Sequence, residues 1–90
     1  MSGPDLAAEV TTLDGVRTAL SIGALSDAER QLTGYRRRFT HGALRSEAEV
    51  LALELLVAQG RKQAAAQAAD RFISEHPRDP QIARVRDLAE

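Results

Sequence analysis

Ninety residues with a net charge of −1 and no cysteine allow one domain with one modest core, and exclude disulfides, thiolate catalysis and zinc–thiolate sites. The near-neutral charge leaves no global field to recruit nucleic acid or an anionic membrane, and no apolar run approaches the roughly 20 residues of a membrane span. With only Tyr35, Phe39 and Phe72 as aromatics, the core must be built from Leu, Val, Ile and many Ala, a composition that favours closely packed helices.

The opening MSGPDLAAEV lacks the basic and apolar regions of a signal peptide, so an export signal, if the native protein has one, lies outside this chain. Residues 1–4 read as a tail. Gly3-Pro4 is a breaker and Asp5 is a good N-cap. Leu6, Val10, Leu13, Val16 and Leu20 then recur at helical spacing as far as Gly23, in a helix weakened by Thr11, Thr12 and Gly15. Ser26-Asp27-Ala28-Glu29 reads as a capping box for a second helix running to about Phe39, with Ala28, Leu32, Tyr35 and Phe39 inward. His41-Gly42 ends it.

The segment Ala43–Gly60 is the centre of the chain. One set of apolar residues, Leu44–Ala48–Leu51–Leu55–Ala58, makes one helical face, and Val50–Leu53–Val57 makes another. A helix apolar on two faces must be covered on two sides. A second capping box, Ser46-x-x-Glu49, offers an alternative start three residues later. Arg61–Glu75 is helical, with Ala64, Ala65, Ala68, Ala69, Phe72 and Ile73 on one face, and His76-Pro77 stops it. Asp79 is expected to cap a last helix with Pro80 at its first position, carrying the stripe Ile82, Val85 and Leu88.

Shifted by 37 residues, the chain overlays itself: Leu13 falls on Val50, Val16 on Leu53, Leu20 on Val57, Gly23 on Gly60, Ala28 on Ala65, Leu32 on Ala69 and Tyr35 on Phe72. Asp5, Gly42 and Asp79 share one column. Such a period implies an all-α helical solenoid, an α–α superhelix of two helix-turn-helix units (5–41 and 42–78) followed by a half-unit (79–90).

The second helix of each unit resembles that of the tetratricopeptide repeat family. Its spacing of turn Gly, Ala, large apolar, small residue and Pro is matched by Gly60, Ala65, Ala69, Phe72 and Pro77, and by Gly23, Ala28, Leu32, Tyr35 and Thr40. Ala69 and Phe72 invert the large–small order, and Thr40 replaces the Pro. The first-helix signature W-x2-L-G-x2-Y is absent: its positions hold Thr12, Gly15, Val16 and Ala19 in one unit and Glu49, Ala52, Leu53 and Leu56 in the other. The long repeat looks most like those of bacterial envelope lipoproteins and cell-division coordinator proteins. The resemblance implies a non-catalytic protein–protein interaction scaffold whose groove holds a peptide or helix of a partner. It places that groove on Val10, Leu13, Arg17 and Ser21, and on Glu47, Val50, Glu54 and Val57. These positions read as an apolar centre with one charge per turn. The chain has no Asn and a single Lys, Lys62, which excludes the family's chaperone-tail clamp.

No chemistry emerges from the residues themselves. His41 and His76 each follow a helix, where the dipole favours them, and Glu75 is the only carboxylate neighbour of His76 in sequence. No catalytic, cofactor-binding or metal residues are assigned, and indifference to metals, nucleotides and chelators is expected. Residues 26–45 carry net +3 and residues 46–60 net −3, so packing antiparallel they should neutralise one another, with the arginines also serving as cations at a helix C-terminus and an acidic protein partner as the alternative for Arg36, Arg37 and Arg38. A rival functional reading is structural: the chain is a piece of a longer envelope protein that self-associates, a homodimer or larger species held through Ile82, Val85 and Leu88.

Overall fold

The computed structural model describes residues 5–90, so the expected tail and its Gly3-Pro4 breaker lie outside the described residues. Five α-helices form: α1 (Leu6–Ser21), α2 (Leu25–Arg38), α3 (Arg45–Ala58), α4 (Lys62–Glu75) and α5 (Ile82–Ala89). The central segment, α3, touches all four other helices. Beyond that, α1 packs on α2 and α4 on α5, while neither α1 nor α2 approaches α4 or α5. The first helices of successive units, α1, α3 and α5, therefore stack in a contiguous row. The second helices, α2 and α4, stand apart, which is the geometry of a superhelix.

The two apolar faces of α3 divide the core. Ala48, Leu51 and Leu55 join Leu13, Val16, Ala19, Ala28, Leu32 and Tyr35 from α1 and α2. On the other face, Val50 and Leu53 join Ala65, Ala69, Phe72 and Val85 from α4 and α5. Val57, at the last turn, is 39% exposed and belongs to neither cluster. The last helix does not keep its stripe for a second copy. Val85 is fully buried, with Ile82 and Leu88 packed partly buried beside it against α3 and α4. This corrects the expectation that Ile82, Val85 and Leu88 stand exposed until paired, because α5 stacks on α3 as α3 stacks on α1.

Both turns inside the units obey one rule. Gly23 and Gly60 share φ = +76°, where an L side chain is strained, and the next residue's N–H reaches back to close each helix. Ala24 N–H donates to Ala19 O at 2.8 Å, and Arg61 N–H to Leu56 O at 2.9 Å. The glycine launches the following helix at once, so α2 starts at Leu25, with Ala24 as its N-cap and no side-chain capping bond. The Ser26–Glu29 box is therefore not used. Nor is the Ser46–Glu49 box, since α3 begins at Arg45. Asp5 does cap α1, accepting from Ala8 N–H at 3.1 Å. Asp79 accepts from Gln81 N–H at 2.8 Å, but α5 starts at Ile82, so Pro80 lies in the preceding turn.

Leu53 is 2% exposed between α4 and α5. Leu53→Asp places an unpaired charge there, at a cost of several kcal/mol against a total of roughly 5–10. The expected result is loss of a cooperative circular-dichroism melt, and a melt within a few degrees of the parent contradicts the assignment.

Candidate functional site

The most buried charge in the described chain, Glu9, holds the first two stacked helices together. Its side chain is fully buried. Oε1 accepts from the Tyr35 hydroxyl at 2.7 Å and from Leu44 N–H at 3.0 Å, and Oε2 accepts from Ala43 N–H at 3.2 Å. A carboxylate of α1 thus caps the N-terminus of α3, where the helix dipole favours negative charge. Gly42 makes the room. A Cβ at residue 42 would collide with Glu9 Oε1 and come within 2.6 Å of the Tyr35 hydroxyl. In the column where Asp5 and Asp79 cap locally, position 42 gives up its side chain so that the carboxylate of α1 can reach the same helix end. The bonds from Leu44 N–H, then Tyr35 and Ala43, hold the Glu9 carboxyl below its usual range despite burial. Burial, and then the bond to Glu9, push the Tyr35 phenol up.

This junction sets α1 beside α3, and the row α1–α3–α5 encloses a groove of about 470 Å³ lined by Arg17, Leu20, Ser21, Glu47, Leu51, Glu54, Gln81 and Arg84. Two ion pairs cross it. Arg17 Nη2 meets Glu47 Oε2 at 2.8 Å between α1 and α3, and Arg84 Nη2 meets Glu54 Oε2 at 2.7 Å between α5 and α3. Both pairs span 30 residues. The shift of 37 that relates the units carries Arg17 onto Glu54 and Glu47 onto Arg84, so the second bridge is the first with its charges exchanged. Arg17 also reaches Asp14 Oδ1 at 2.9 Å, and Gln81 Nε2 donates to Glu47 Oε1 at 3.0 Å.

Of the expected groove positions, Arg17, Ser21, Glu47 and Glu54 meet here. Val10 and Val57 are exposed at 42% and 39% but do not line this groove. Leu13 and Val50 are buried at 0% and 1% and belong to the core, which corrects the apolar centre expected for the groove. The reason is angular: at about 100° per residue, positions 13 and 50 sit about 60° away from positions 10 and 47, rotated toward the neighbouring helices. Residues missed by the sequence reading, Gln81 and Arg84, enter because α5 completes the row.

The basic run is not neutralised across helices as expected, although Arg36, Arg37 and Arg38 do fall in the last turn of α2, where the dipole favours cations. Arg30 pairs with Asp27 within α2 at 2.5 Å, and Arg45 with Glu49 within α3 at 3.7 Å. Among the described residues, Arg36, Arg37 and Arg38 form no ion pair. His41 is exposed. His76 is half-buried against Phe72, ring centroids 4.7 Å apart, and its Nε2 lies 3.5 Å from Glu49 Oε1. Folding thus gives His76 a second carboxylate neighbour, Glu49 of α3, besides Glu75 next to it in sequence. No described helix is long and apolar enough to cross a membrane. No family model matches the sequence, and no curated protein or solved structure is significantly similar to it.

The Glu9 junction makes stability depend on pH in both directions. A carboxyl whose folded value is lowered contributes fully above its unfolded value, near 4.3, and that contribution is lost as pH falls further. A phenol whose folded value is raised contributes below about 10 and loses that contribution as pH rises beyond it. Denaturant midpoints should therefore hold level between about pH 5 and 9 and fall on either side. In Glu9→Gln, the amide sets N–H against the Ala43 or Leu44 N–H, so the melting temperature at pH 7 should drop by about 5 °C or more and the acid limb should flatten. An unchanged acid limb contradicts the assignment.

Proposed function

We propose that the chain is a non-catalytic protein–protein interaction module of the tetratricopeptide kind, and that the groove of α1, α3 and α5 receives a short segment of a partner protein. The observation that carries this reading is the pair of charge-exchanged bridges, Arg17–Glu47 and Glu54–Arg84, lining one open groove. Their side chains remain 25–59% exposed, so as surface pairs they add little to stability. They keep unused hydrogen-bonding capacity toward the groove. The complementary ligand is a peptide or helix with both acidic and basic side chains, the acidic ones meeting Arg17 and Arg84 and the basic ones Glu47 and Glu54. Charge pairing of this kind sets register and partner choice more than raw affinity.

Peptides selected from a displayed library against the whole chain provide the test. Binding should weaken by about tenfold or more in the double variant Arg17→Ala/Arg84→Ala, and should survive Arg37→Ala on α2. Selected peptides that bind the groove variant as well as the parent contradict the reading. So do peptides released by Arg37→Ala alone.

A further inference from the structure

On the opposite side of α3 from the groove, three potential ligands converge from two helices. Glu49 projects from α3, and Glu75 and His76 form the C-terminal end of α4 and its cap. One ligand atom of each lies within 4.8 Å of the other two. We propose that Glu49, Glu75 and His76 bind a divalent transition-metal ion, zinc first among them.

The argument begins with His76. Its Nε2 is shielded from solvent and has no hydrogen-bond partner, an uncommon state for a buried polar atom. The nearest acceptor, Glu49 Oε1, stands 3.5 Å away, too far for an effective hydrogen bond. That separation does suit two ligands of one ion. Zinc–nitrogen and zinc–oxygen bonds of about 2.1 Å place tetrahedral neighbours about 3.4 Å apart. The Phe72 ring packs on the imidazole, ring centroids 4.7 Å apart, and Arg45 Nε lies 3.7 Å from the other Glu49 oxygen, Oε2, a loose ion pair. That leaves Oε1 directed to His76. Glu75 is exposed and free to swing in as the third ligand, with water completing the set.

Two carboxylates and the negative end of the α4 dipole converge on the position, beside the guanidinium groups of Arg36, Arg45 and Arg71, which line a cleft shared with Glu49 and Glu75. One imidazole nitrogen with two carboxylate oxygens is a borderline donor set, suited to zinc, cobalt or nickel more than to calcium or magnesium. The ion would pin the end of α4 to α3 and so stiffen the second unit.

Titration calorimetry of the untagged, chelator-stripped chain with zinc chloride is the test, with cobalt absorption as a second readout of geometry. One saturable zinc ion per chain is expected, together with the intense visible bands of tetrahedral cobalt and a raised melting temperature. Glu49→Gln, Glu75→Gln and His76→Gln should each weaken binding by about tenfold or more, and His41→Gln should leave it unchanged. Because Glu75 is exposed, Glu75→Gln must melt like the parent in chelator, so its loss of zinc cannot be blamed on misfolding. The proposal is overturned if the parent shows no saturable binding. It is equally overturned if binding persists in the three variants or disappears in His41→Gln.

Discussion

A helix with two apolar faces cannot be satisfied by a single neighbour, and α3 imposes that condition on the whole chain. Ala48, Leu51 and Leu55 require cover on one side, Val50 and Leu53 on the other. With short, alanine-rich partners, one helix cannot cover a face alone, so each side takes a pair: α1 with α2, and α4 with α5. The result is a linear stack with α3 as its only common member. The row of first helices then has one side left over, and that side carries Arg17, Glu47, Glu54 and Arg84.

How much of this could be read in advance depends on the range of the interactions. The faces of α3 are visible because helical periodicity is local, and the turns at Gly23 and Gly60 because positive φ selects glycine. Glu9 is invisible for the opposite reason. It looks like any surface glutamate, and its partners are a phenol 26 residues on and amides 34 and 35 residues on. A trace does exist: Gly42 stands where the repeat column holds Asp5 and Asp79, a missing cap that something else must supply. The groove was half legible. Its charged positions follow the helix surface, but Leu13 and Val50 lie rotated toward the neighbouring helices, and a family register alone does not reveal which side of the helix the next layer covers. The stripe on α5 was read correctly as apolar and wrongly as exposed, since sequence shows that Val85 must be buried but not by what.

The glutamates of α3 summarise how one helix serves two surfaces. Glu47 and Glu54 bridge to α1 and α5 across the groove, while Glu49 turns toward α4 and meets His76. The proposed partner groove and the inferred ion site thus lie on opposite sides of the same rod. Loss of either leaves the packing of the other side in place, so the two are separable by mutation.

Native-state hydrogen exchange measures the central claim directly. If α3 is the shared member of both clusters, its amides from Leu51 to Leu55 should exchange only by global unfolding and should be the slowest in the chain, with α5 and the start of α1 opening first. Protection of α3 no greater than that of α5, or two independent unfolding units that divide between α2 and α3, would contradict the account.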